Sequence, residues 1–351
     1  MNPNKLSIYA VGDTRTNRPN PKSLFELALP TLKQADILFG QLEAVITEPE
    51  KVSALTCAGF DIMSFASNHN LDPNGEEAFF KTIDSLTRNN IRVIGAGSNI
   101  YEARKPVIFE RKGTKVGFLA YCSVVPPGFE SGPDKPGSAP MRATSSYKQV
   151  DWQPGTPPKI ITLANKDDLA EMLDDIKKLR PLVDVLIMSI HWGVHHLPAV
   201  IAMYQKEVAY AAIDAGVDLI LGHHAHILKG IEVYKGKVIF YSLGNFVMPT
   251  RKEVLHPSHA LYGIKGNPEY PEYSGTVDAR KSSLAKCLIS NKKIEKVSYL
   301  PIMVNGHAQP EVLPRSDKRS SKVFHYIEWC CRDQGLDTMF SREGDEVVVL
   351  T

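Results

Sequence analysis

The sequence predicts an α/β protein. Short apolar runs of strand length alternate along the chain with stretches whose apolar residues recur at helical spacing. Five of those runs end in side chains that bind metals or move protons, and ligands in α/β proteins gather outside the carboxyl ends of strands. With 351 residues and 43% hydrophobic content, the chain is long enough for one large core or two ordinary ones.

In chain order, Ile8 to Val11 delivers Gly12-Asp13, and Ile37 to Phe39 delivers Gly40-Gln41-Leu42-Glu43. Ile62 to Phe65 delivers Ser67-Asn68-His69-Asn70. The turn Asp72-Pro73-Asn74-Gly75 then opens a helix to Asn90, with Phe79, Ile83 and Leu86 on one face, leading into a strand at Ile91 to Ile94. Pro106 to Glu110 and Lys115 to Tyr121 form a hairpin around Lys112-Gly113.

Prolines crowd residues 126–158, which excludes a helix interior or a central strand there. The stretch is expected to be a long irregular surface excursion, either a tolerated insertion or a flap over the site. Asp167-Asp168 starts a helix that shares Leu169, Met172, Leu173, Ile176 and Leu179 on one face and ends at Pro181.

Asp184 to Ile190 delivers His191-Trp192-Gly193, and a helix over Met203 to Ala215 stops at Gly216. Val217 to Leu221 delivers Gly222-His223-His224-Ala225-His226. Ile231 to Tyr234 and Val238 to Tyr241 flank Lys235-Gly236 as a second hairpin, after which Ser242 and Asn245 are expected to shape a turn. Residues 315–351 carry one helix, Lys322 to Cys331, and no recognisable chemistry. The expected organisation is a single unit over residues 1–351, with the excursion at 126–158 and a C-terminal extension at 315–351.

The histidine cluster has two readings. It is either solvent-exposed or backbone-satisfied, or it is a ligand set for zinc, manganese, iron or nickel. On an extended backbone His224 and His226 leave the same side and point at one spot. The four other runs with similar endings favour the metal.

Composition narrows the partners. The 41 Lys+Arg and 39 Asp+Glu leave a net charge of +2 with no long basic block, so nucleic-acid capture is not expected. Five cysteines without CxxC spacing argue against a disulfide framework and a thiolate zinc site, and Cys330-Cys331 are expected on a half-buried helix surface. No targeting segment and no run of about 18 apolar residues is present. The expectation is a soluble cytoplasmic protein without a stable membrane anchor.

Gly12-Asp13, Phe39 to Glu43, Ser67-Asn68-His69 with Asp72 and Gly75, His191-Trp192-Gly193, Gly222 to His226 and Tyr241 to Phe246 together resemble the CapA-type poly-γ-glutamate capsule synthesis proteins. That family lies within the calcineurin-like metallophosphoesterase superfamily. The resemblance runs from about residue 6 to residue 312 and implies a four-layer α/β/β/α sandwich with two divalent metal ions at the strand ends. It implies that Asp13 ligates the first metal and Glu43 bridges. Asn68 and His191 would ligate the second, with His224 and His226 serving one metal each. His69 would protonate a leaving group or steady the transition state, and His223 is an extra residue beside the ligands. Asp72, besides opening its turn, is a candidate to orient His69.

The chain departs from the family pattern at three places. Arg15 stands where the superfamily has a histidine, and Gln41 where the family has asparagine. His195-His196 replace a Glu-Tyr pair, supplying a missing ligand or reshaping the pocket. Arg15 is expected to bind an anionic substrate. Trp192 is a site wall or core, and Asn245 is a candidate contact for substrate or a ligand. The expected function is a dinuclear-metal hydrolase, of manganese, iron or zinc, in which a metal-bound hydroxide attacks a small anionic substrate at a phosphoester or a γ-glutamyl amide. The alternative is a non-catalytic binding or assembly factor for poly-γ-glutamate capsule biosynthesis.

Overall fold

Two β-sheets lie face to face, and between them Phe39 of one stacks on Phe118 of the other, with ring centroids 6.1 Å apart. The computed structural model describes residues 5–72, 75–249, 273 and 276–351. Pro73 and Asn74 of the expected Asp72–Gly75 turn lie outside them.

In the larger sheet, Lys5–Thr14 pairs in parallel with Ile37–Leu42, followed by Ile62–Ser64 and Arg92–Ile94. On its other side it pairs antiparallel with Lys281–Ser290, which pairs with Lys293–Val304. The smaller sheet has a parallel centre of Thr114–Cys122, Val185–His191, Leu219–His223 and Lys237–Phe240. Its flanks are the antiparallel strands Val107–Arg111 and Ile231–Tyr234.

Strand alternation builds the layers, because successive side chains point to opposite faces. Leu6, Ile8 and Ala10 join the core shared with Phe118 and Ile187 of the smaller sheet. Tyr9 and Val11, on the opposite face, pack with Leu55 of the helix Pro49–Ala58 and Phe79 of the helix Gly75–Arg88. The helices Lys166–Leu179 and Met203–Ala215 bury Met172, Ile176, Val208 and Ala212 on the smaller sheet's side. The order is therefore helix, sheet, sheet, helix, the sandwich expected of the metallophosphoesterase type.

Three expectations change. The Pro-rich stretch is not wholly irregular, since Ala143–Lys148 pairs antiparallel with Lys159–Ala164 as a separate two-stranded ribbon. The prolines stay outside both strands: Pro154, Pro157 and Pro158 fall between them and the others precede Ala143. Cys330 and Cys331 are buried instead of half-exposed. Residues 315–351 are integrated into the body: Glu346–Leu350 pairs with Lys293–Val304, and the helix Lys318–Asp333 buries Val323 and Ile327 in the core. All five cysteines are free. No helix among the described residues is long and apolar enough to cross a membrane.

Candidate metal centre

The parallel strands of both sheets end on one side of the sandwich, and that shared end gathers the polar residues. Asp13 lies within its strand opposite Asn245, Glu43 follows Ile37–Leu42, and His191 and His223 are the last residues of their strands. Close backbone contact makes this possible. A Cβ at Gly12 would lie 1.9 Å from the Gly244 carbonyl oxygen, and one at Gly222 would lie 2.3 Å from that of Tyr241.

Two donor groups converge there. Glu43, His191 and His224 form one, and Asp13, Glu43 and His226 form the other, with the donor atoms of each group within 4.8 Å of one another. Glu43 belongs to both, the position expected for a bridging carboxylate. Beside the first group, His191 Nε2 lies 2.7 Å from Asn68 Oδ1 and 3.1 Å from His224 Nδ1. Metal–nitrogen bonds of about 2.0–2.1 Å place neighbouring ligand atoms at roughly this separation. In the second group, Glu43 Oε1 is 3.4 Å from His226 Nε2.

The extended-backbone argument for His224 and His226 does not hold. The strand ends at His223, and both residues adopt positive φ, 86° and 55°. Non-glycine residues hold that conformation only where their surroundings over-determine it. The His224 N–H donates to Asp13 Oδ2 at 3.1 Å, which helps to hold the turn.

The donors fit a cation. Both Glu43 carboxylate oxygens, His191 Nδ1 and both ring nitrogens of His223 are buried without a hydrogen-bond partner among the described residues. Buried polar atoms are normally paired, so the two Glu43 oxygens, which can only accept when ionised, match a bound cation in this carboxylate–imidazole cluster. Burial pushes the Asp13 carboxyl up to about 7 and raises that of Glu43. Burial, reinforced by neighbouring imidazoles, holds His191 and His224 well below the usual histidine range. These histidines are thus neutral, the state that ligates.

The remaining candidates fall into place around this core. His69 Nδ1 is 2.8 Å from Asp72 Oδ2, and its Nε2 is 3.9 Å from Glu43 Oε1, with the side chain 23% exposed. His223 is fully buried, belongs to neither donor group and stacks on Phe39 with centroids 6.0 Å apart. Arg15 Nε donates to the Glu43 carbonyl at 2.6 Å, so the residue braces the Glu43 loop. Trp192 is core: it is fully buried, stacks on Tyr241 and donates its indole N–H to the Tyr241 carbonyl. His195 and His196 are outside both donor groups and pack their rings over His224 and His226.

Asn245 does more than shape a turn, since its Oδ1 lies 2.7 Å from His226 Nδ1. Ser242 keeps the expected turn role, accepting from the Gly244 N–H. The sequence reading missed Tyr273, whose hydroxyl accepts from Asn245 Nδ2, and Ser138, which binds the Ser67 backbone and Asn70. Neither sits in a motif, and only the folded arrangement brings them to the site.

A profile of the family described as "Bacterial capsule synthesis protein PGA_cap" matches residues 7–250. The PGA biosynthesis protein CapA of Bacillus subtilis (strain 168) is 27% identical over 267 residues, covering 69% of this chain and 63% of that protein. The capsule biosynthesis protein CapA of Bacillus anthracis is 28% identical over 271 residues, covering 69% and 60%. The chain thus matches about three-fifths of the length of these relatives. Among solved structures, a hypothetical protein from Thermus thermophilus has a TM-score of 0.47 at 11% identity, over 84% of this chain and 98% of that one.

Proposed function

This chain belongs to the PGA_cap family of bacterial capsule synthesis proteins, and we propose that within that family it is a hydrolase dependent on two divalent cations. Its substrate is small and anionic, cleaved at a phosphoester or at an amide such as a γ-glutamyl bond. The observation that carries this reading is Glu43, a buried carboxylate shared by two converging donor groups, neither oxygen of which has a hydrogen-bond partner among the described residues.

In this reading Asp13, Glu43 and His226 hold one cation, and Glu43, His191, His224 and Asn68 hold the other. When bound, manganese, iron or zinc supplies Lewis acidity and activates water at neutral pH. The protein's own contribution is positional. Asp72 fixes which nitrogen of His69 faces the site, so that Nε2 is aimed to pass a proton to the leaving group. Arg15, braced on the Glu43 loop, adds positive charge beside Asp13 and Glu43 and favours an anion there. The balanced charge of the whole chain supports a small substrate over nucleic acid, and five free cysteines support a cytoplasmic setting.

A second reading is a non-catalytic binding or assembly factor, favoured by relatives named for biosynthesis, and by one from Mycobacterium tuberculosis named a probable polyglutamine synthesis accessory protein. The deciding experiment assays purified protein loaded with manganese, iron or zinc against phosphoesters and γ-glutamyl peptides. Hydrolysis that disappears in Asp13→Ala supports the enzyme. Metal-loaded protein that binds poly-γ-glutamate and cleaves neither class establishes the assembly role.

A further inference from the structure

The segment 193–202 carries His195 and His196 over the candidate metal centre. His195 stacks on His224 with centroids 3.8 Å apart and on His226 at 5.0 Å, and His196 stacks on His226 at 5.5 Å. The segment reaches this position in a costly conformation. His196 and Ala199 both have positive φ, 53° and 58°, without being glycine. Such backbone persists where other contacts over-determine it.

Those contacts include two from distant parts of the chain. Lys229, 2% exposed, donates its ammonium to the Leu197 carbonyl. From the C-terminal extension, Gln334 Oε1 accepts the Ile201 N–H at 3.1 Å. At its other side the segment is tied to the histidine turn itself, where the His196 N–H donates to the Ala225 carbonyl at 3.0 Å. Gln334 lies beyond residue 250, where the family match ends.

We propose that Lys229 and the C-terminal extension, through Gln334, clamp segment 193–202 so that His195 and His196 hold the rings of His224 and His226 in their metal-facing orientation. Lys229 and Gln334 are positioning residues, acting on the centre through the stacked histidines. The link to metal rests on the proposed metal-centre reading, whereas the clamp itself is a property of the chain alone. Groups that orient ligating histidines set metal affinity by 10- to 100-fold in general.

The test compares wild type with Gln334→Leu, Lys229→Met and His195→Ala. Amide hydrogen exchange is followed by mass spectrometry in the absence of metal, and binding of Co²⁺ is followed by its visible absorption. Gln334→Leu and Lys229→Met are expected to speed exchange in residues 193–202 about 10-fold. Each should also weaken Co²⁺ binding on the order of 10-fold and alter its absorption bands. His195→Ala should reproduce the cobalt change. Exchange that is unchanged in both clamp variants overturns the proposal. So does faster exchange accompanied by wild-type cobalt affinity and spectrum. A wild-type chain that takes up no Co²⁺ overturns the metal-centre reading and the link to it, and the exchange comparison then decides the clamp.

Discussion

His226 Nδ1 lies 2.7 Å from Asn245 Oδ1, while its Nε2 is turned to Glu43 Oε1 at 3.4 Å. The amide oxygen accepts the Nδ1–H and so leaves the Nε2 lone pair for a metal. Asn245 is itself held, since its Nδ2 donates to the Tyr273 hydroxyl at 2.9 Å. Asn245→Leu is therefore expected to weaken metal binding about 10- to 100-fold without unfolding the chain. Titration with Mn²⁺ or Zn²⁺, beside a thermal melt, checks this.

Asp13 and His226 sit in a donor group and His69 does not. Alanine at either of the first two should lower metal content and activity together, while His69→Ala should keep its metal and lose rate by about 10²–10⁴-fold. Elemental analysis and steady-state kinetics on the three variants separate the roles. Equal metal loss in all three would make His69 a ligand.

Removing metal should cost stability. A cation that binds only the folded chain stabilises it by about 2.7 kcal/mol at a hundredfold excess over Kd. Wild type should therefore melt lower in chelator and recover with Mn²⁺, whereas Asp13→Ala should respond little.

Lys229 predicts a pH dependence. Burial pushes its ammonium down from 10.5 to about 8. Between those values the unfolded chain holds the proton and the folded chain does not. The contribution of Lys229 to stability therefore rises as pH climbs from about 8 to 10.5 and is least favourable below about 8. Relative to Lys229→Met, wild type should gain up to about 3 kcal/mol across that window. Urea unfolding of both proteins at several pH values measures the difference.

Gly222 and Gly12 permit the close approach on which the centre is built. An added Cβ at either would meet a backbone carbonyl oxygen, which cannot rotate away. Gly222→Ala and Gly12→Ala should each destabilise by about 1–3 kcal/mol or more. Both should lose metal binding, read by urea unfolding and elemental analysis.

Much of the site was legible in the chain because its chemistry is written at strand ends. The runs before Asp13, Glu43, Asn68, His191 and His224 are short and apolar, and parallel strands must bring such endings to one side. Asp72, besides opening its turn, was a candidate to orient His69, and its Oδ2 lies 2.8 Å from His69 Nδ1. The role of Asn245 was not, because turn chemistry and ligand orientation use the same residue type. Trp192 was ambiguous for a similar reason, since an aromatic after a ligand suits either a wall or a core.

Residue order thus determined the α/β alternation, the identity of the converging donors and the excess of imidazoles over carboxylates among them. Local pattern suffices for these, since periodicity and residue type are properties of a short stretch. Tertiary structure alone decided that His224 and His226 turn inward through positive φ. It also decided that Gln334 reaches the backbone of segment 193–202. Those facts depend on contacts between residues far apart in sequence, whose separation is set by how two sheets and their loops pack.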